Sequence, residues 1–181
     1  MNSQRVLPWI AGAIGAFIGG APPAWAIGVT VTPDNPSGPD LGKVAQAPTT
    51  SSVWRVDGDT GEVSLLGGQA VRLTSGPASP PMITISCPIE KCRNALVTVA
   101  LAPSGPGRAT IVGFRPGTVT PKGLTLQSVS GAGTRQVTMT FLAGSVIPAS
   151  ASFALGMDVS LAPGRDSLGS MSSYMLNVVV H

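Results

Sequence analysis

Ala95-Leu-Val-Thr-Val-Ala-Leu101, followed beyond a Gly/Pro-rich turn by Ala109-Thr-Ile-Val-Gly-Phe114, decides the fold of this chain. Apolar groups alternate with small or polar ones at a period of two, the spacing that sends successive side chains to opposite faces of a strand. The alternation recurs outward in both directions. Val53-Trp-Arg-Val56, Glu62-Val-Ser-Leu-Leu66, Ala70-Val-Arg-Leu-Thr74 and Met82-Ile-Thr-Ile-Ser86 precede it. Leu124-Thr-Leu-Gln-Ser-Val129, Gln136-Val-Thr-Met-Thr-Phe141, Phe153-Ala-Leu-Gly-Met-Asp-Val-Ser-Leu161 and Tyr174-Met-Leu-Asn-Val-Val-Val180 follow. Glycine and proline punctuate these runs at intervals of roughly 8 to 12 residues, the rhythm of an all-β domain. Beyond residue 26, no stretch of about a dozen residues free of Gly and Pro carries apolar groups at i, i+3, i+4 and i+7, so no helix is predicted. The expected fold is an antiparallel β-sandwich of Ig-like or pilin-like layout. A closed eight-stranded barrel is the alternative, because alternation does not fix closure.

The first 26 residues read differently. Arg5 supplies a positive start, Val6 to Ile18 an apolar run, Pro22-Pro23 a break, and Ala24-Trp25-Ala26 a small-x-small cleavage site. This is a secretory leader, predicted to be cut so that the mature chain begins at Ile27. An uncleaved anchor is the competing reading. Five glycines or prolines between Gly15 and Pro23 suit an interrupted leader better than a spanning helix of about 20 apolar residues. After cleavage no membrane span is expected. The organisation that follows is a leader over 1–26, an N-terminal strand and Pro-rich tether over 27–52, and a sandwich domain over 53–181.

Charge is sparse, at 10% of residues. Loss of Arg5 leaves ten Lys and Arg against eight Asp and Glu, and the bases are spread singly from Lys43 to Arg165. Nucleic-acid binding needs bases clustered to neutralise phosphates, so it is not expected. Disorder requires low hydrophobicity and high net charge, and the body of the chain has neither.

Cys87 and Cys92 are the two cysteines, with four residues between them, between predicted strands. In an exported chain such a pair reads as a local disulfide pinning a turn, worth about 2 kcal/mol on the loop-entropy estimate. A redox pair has two intervening residues at a helix start, and zinc needs ligands beyond a lone histidine. Asp57-Gly-Asp-Thr-Gly-Glu62 gathers three carboxylates, as calcium loops do, but Gly61 stands where an EF-hand needs an oxygen ligand. Asp-Gly between two alternating runs reads as a hairpin turn instead. No metal or other cofactor is expected.

Catalysis has little to work with. His181, the only histidine, is the last residue, where fraying is expected to spoil its orientation. Asp158 or Asp166 with Glu90 could supply a carboxylate pair for sugar hydrolysis, but the aromatic cleft such sites use is missing: Trp54 is the only tryptophan outside the leader. Trp54, Phe114, Phe141 and Phe153 fall at core-facing positions. No catalytic residue is assigned, and the chain is not read as an enzyme.

The last third resembles the C-terminal end of a family of exported bacterial β-sandwich proteins of unassigned function, similar in layout to spore-coat-U and fimbrial-subunit domains. Gly156 within a strand, the Ala162-Pro163 step that ends it, and Tyr174 opening a final alternating strand carry the likeness over about thirty residues. The longer segment from Arg165 to Met171 and the cysteine pair depart from the family's pattern. The resemblance implies a structural or adhesive role at the cell surface or in the periplasm.

Gly28-Val-Thr-Val-Thr32 fits that implication independently. It is an alternating segment set off by Pro33-Asp-Asn-Pro-Ser-Gly-Pro-Asp40, with Ile27, Val29 and Val31 on one face. A strand on a tether can complete a neighbour's sheet, so self-association or pairing with an envelope protein is one expectation. Folding back onto its own sandwich is the other. A periplasmic binding or accessory module for carbohydrate or an envelope protein remains the alternative function.

Overall fold

The computed structural model describes residues 29–34, 38–88, 92–104, 109–164 and 173–181. The leader, Ile27, Gly28, Glu90 and Asp166 lie outside them. Thirteen strands and no α-helix make up the described chain. In order they are β1 Thr30–Pro33, β2 Val44–Ala45, β3 Ser52–Val56, β4 Val63–Gly67, β5 Val71–Arg72, β6 Met82–Cys87 and β7 Leu96–Ser104. β8 Ala109–Pro116, β9 Thr120–Lys122, β10 Leu124–Ser130, β11 Val137–Ala143, β12 Ala149–Leu161 and β13 Ser173–Val180 complete them.

β12 is the spine of the larger, seven-stranded sheet. Residues 149–154 pair with β6, which pairs in turn with β1, and residues 157–161 pair with β3, which pairs with β4. β8 and β9 succeed each other along the opposite edge of β12. Three partners converge near residue 156, and space there is tight. A Cβ on Gly156 would stand 2.5 Å from the Gly58 nitrogen and 2.7 and 2.8 Å from the carbonyl oxygens of Val56 and Arg115. Glycine is what lets these backbones approach.

The second sheet has four strands in the order β10-β11-β7-β13, all antiparallel. The two sheets have separate ladders and pack face to face, which makes a sandwich rather than a closed barrel. Alternation decides what lies between them. Phe114, Phe153, Ile83 and Met157 from the larger sheet meet Phe141, Val99 and Met139 from the smaller, each at most 1% exposed. Two aromatic pairs cross the interface: Phe141 stacks on Phe153 with centroids 6.5 Å apart, and Tyr174 meets Phe114 edge-on at 6.1 Å. Each such pair adds about 1 kcal/mol beyond the area it buries. Trp54 is buried as well, so all four core-facing aromatics lie where alternation puts them.

The stretch expected as a tether is packed over much of its described length. Leu41 and Val44 belong to the core, at 4% and 5% exposure. β2 pairs with β5, Arg72 Nε donates to the Leu41 carbonyl at 2.8 Å, and the Lys43 amide donates to Thr74 Oγ1 at 2.7 Å. Proline-rich composition limits backbone donors, but it does not stop two apolar side chains from capping an open end of a core. Conversely, the expected strand over 70–74 shortens to Val71–Arg72, with Val71 and Leu73 exposed.

Candidate functional site

None of β7, β10, β11 and β13 contains a charged residue. Their inward residues fill the core, so the outward set is left to solvent: Thr98, Ala100 and Ala102 from β7, and Thr138, Thr140 and Leu142 from β11. Register aligns these into rows, Thr138 beside Ala100 beside Asn177, and Thr140 beside Thr98 beside Val179. Alanines on the central strand leave a trough of about 300 Å³, floored by Ala100 and Ala102 and flanked by Gln136, Thr138, Met175 and Asn177. Its polar groups are neutral: two amides and a hydroxyl. A site of this chemistry can meet a neutral polymer or another protein surface, and offers no charge to select an ionic ligand.

The outward face of the larger sheet is different. Asp158 on β12, 6% exposed, lies between Arg55 on β3 and Arg115 on β8. Arg55 donates through Nε to Oδ1 at 2.8 Å and through Nη2 to Oδ2 at 3.1 Å, and Arg115 Nε reaches Oδ2 at 3.0 Å. Burial pushes the Asp158 carboxyl up, but the hydrogen bonds and charges of the two guanidiniums outweigh it and hold the group below the ordinary carboxylate range. This arrangement clamps three strands together. It also occupies Asp158, one of the carboxylates weighed and not assigned for sugar hydrolysis; Glu90 and Asp166 lie outside the described residues.

The edge of β8 beside this clamp is covered. The Phe114 amide donates to the Thr134 carbonyl at 2.9 Å, and the Gly133 amide donates to the Phe114 carbonyl at 2.7 Å. Gly133 has φ +83°, and Arg115 Nη2 is 3.0 Å from where its Cβ would be. A residue with a side chain there would be both strained and obstructed.

Other sequence candidates fall into structural roles. Cys87 and Cys92 form a disulfide, with Cα atoms 5.9 Å apart. Asp57 Oδ1 accepts from the Asp59 and Thr60 amides at 3.0 and 2.9 Å and from the Thr60 hydroxyl at 2.9 Å. Bonds from Thr60 chiefly hold its pKa below the usual range, and the segment is the β3–β4 hairpin turn. Asp59 ties that turn to the Thr118 amide at 2.6 Å. No group of three metal-ligating side chains occurs among the described residues. His181 is not frayed: it exchanges backbone hydrogen bonds with Leu96 at 2.8 and 3.1 Å, continuing the β13–β7 ladder.

Val29 and Val31, two of the candidate donor-strand residues, are half-buried against this chain's own core, and β1 pairs with β6 of the same chain. Ile27 lies outside the described residues. The trough and the Arg55–Asp158–Arg115 clamp were not foreseen. The clamp's sequence signal is the phase of Arg55 and Asp158, which fall on the outward positions of their runs. No family model matches this chain, and neither a curated protein nor a solved structure matches it.

Proposed function

We propose that the chain is an exported structural or adhesive protein of the cell surface, laid out like a fimbrial subunit. The observation that carries this reading is the four-stranded sheet without a charge in any strand. Surfaces kept free of charge over four strands favour contact with other surfaces, because the central patches of protein interfaces are depleted in charged residues. The leader-like residues 1–26 and the Cys87–Cys92 disulfide support export, since disulfides persist in oxidising compartments. Among the described residues no helix is long and apolar enough to cross a membrane.

A binding module for neutral carbohydrate or an envelope protein is the second reading, favoured by the amides of Gln136 and Asn177 flanking the trough. Surface labelling of intact source cells, with attachment assays on a deletion strain, separates the two. Labelling and lost attachment are the expected results. Protein reached only after the outer envelope is opened, with attachment unchanged, would overturn the surface role.

A further inference from the structure

A sandwich has edges as well as faces, and most edges here are blunted. β1 is four residues long and ends at Pro33, which has no N–H to donate, followed by Asp34. β8 has its Phe114 groups taken by the Gly133–Thr134 turn, and Pro116 and Pro121 interrupt that side of the sheet. β10 carries a register shift between Leu126 and Ser128. β4 is five residues long, begins after Glu62, and pairs with β3 through another shift.

β13 has none of these devices. Its eight residues, Ser-Tyr-Met-Leu-Asn-Val-Val-Val, contain no charge, proline or glycine, and their register with β7 is unbroken from Ser173 to Val180. The His181–Leu96 bonds set the phase of the ladder. Antiparallel pairing alternates, so Met175, Asn177 and Val179 bond to β7 while Leu176, Val178 and Val180 aim their N–H and C=O groups at the outer edge. Among the described residues no strand pairs with that edge. The side chains of these three residues point into the sandwich, yet they are only partly buried, whereas Val97, Val99 and Leu101 one strand inward are at most 1% exposed. Among the described residues the sheet stops one strand before its apolar face is covered.

We propose that the outer edge of β13 pairs antiparallel with β13 of a second copy of this chain, joining two four-stranded sheets into one of eight strands. A two-fold axis sets each strand against itself, and self-pairing fails when like charges meet; β13 has none. The strand's alternation also restricts register. Opposed residues must share a face, so a residue stands opposite itself on the axis; centred on Asn177, the pairing sets inward Leu176 against Val178 and Tyr174 against Val180. A partner strand selected by charge would find nothing here to read. Pairing places the uncharged outer faces of both copies side by side in one continuous surface. The edge is about 27 Å long and about 10 Å deep, a few hundred Å² per partner against about 800 Å² in standard interfaces, so the dimer is reversible.

The pairing is independent of where the protein is displayed, so its test and the localisation test fail separately. Sedimentation equilibrium of the purified protein up to about 1 mM should show a monomer–dimer equilibrium. Asn177→Lys keeps its bond to β7 but brings two ammonium groups together across the axis, and should raise the dissociation constant about tenfold. Val178→Pro removes an outward N–H and should do the same without breaking the β7 ladder. Leu66→Lys, on the β4 edge, should change nothing. Circular dichroism and Trp54 fluorescence report whether each variant is folded, and either folded edge variant suffices. A monomer at every concentration, a dimer indifferent to the folded edge variants, or one lost through Leu66→Lys would overturn the proposal.

Discussion

The two outward faces of the sandwich solve the same problem in opposite ways. Across the larger sheet, β3, β12 and β8 are locked by a buried carboxylate between two guanidiniums, and a glycine-containing turn seals the adjoining edge. Across the smaller sheet no strand carries a charge, β7 presents Thr98, Ala100 and Ala102 outward, and among the described residues no strand pairs with the outer edge of β13. Both faces belong to period-2 strands over one core, so packing does not explain the contrast. A face whose polar groups are already partnered has little left to offer another molecule, whereas one with unpartnered backbone and neutral side chains does. The larger sheet holds its own strands together, and the proposed contact role falls to the smaller.

Substitutions across the two faces should therefore differ in kind. The largest effect is expected at Gly156, where a methyl group would meet backbone on three sides and no flexible side chain can yield. Gly156→Ala should cost about 3 kcal/mol in chemical denaturation, the upper end for overpacking, or prevent folding. Stability within 1 kcal/mol of wild type would show that β3, β8 and β12 do not converge as described. Next comes Asp158→Asn, which leaves Arg55 and Arg115 without their shared anion. Breaking a buried pair costs about 3–5 kcal/mol, but the guanidiniums are one-third exposed, so about 2 kcal/mol is expected at pH 7.

That difference carries a pH signature. The Asp158 pKa is lower folded than unfolded, so its stabilisation is complete above the unfolded value near 3.8 and disappears as pH falls through the folded value. Wild type and Asp158→Asn should therefore converge in stability below pH 3.8, although both weaken in acid. A gap that stays constant from pH 7 to pH 2 would mean that Asp158 acts through shape rather than charge.

Much of this was legible in the sequence, and the limit has a physical cause. Alternation located β3, β6, β7, β8, β11, β12 and β13 to within a few residues and put Trp54, Phe114, Phe141 and Phe153 in the core, because both facts depend only on local spacing. The Asp57 turn and the Cys87–Cys92 bridge were readable for the same reason: each closes within six residues. Pairing was not. Asp158 meets Arg55 across 103 positions, and Arg115 lies one residue past the run that announced β8, so nothing local linked the three. Leu41 and Val44 were hidden by their proline-rich setting, and β9 by Pro121. The openness of β13 is a statement about what every other strand does, and becomes visible only when all the edges are compared.

The smallest stability effect should come from the smaller sheet's outward face, and there it is most informative. Thr140 lies beside Thr98 on the outward face, half-buried, and the long stem of a lysine there can extend away from the sheet. Thr140→Lys should change stability by less than about 0.5 kcal/mol, as exposed substitutions usually do. If this face makes the contacts proposed for it, the same substitution should sharply reduce attachment of cells or of purified protein to a neutral surface, because burying an ammonium group without a partner is costly. Arg115→Lys on the opposite face keeps the charge but loses the Nε hydrogen bonds to Asp158, so it should weaken the clamp and leave attachment intact. Loss of stability without loss of attachment on one face, and the converse on the other, would separate holding from meeting. Equal effects on both would erase the distinction between them.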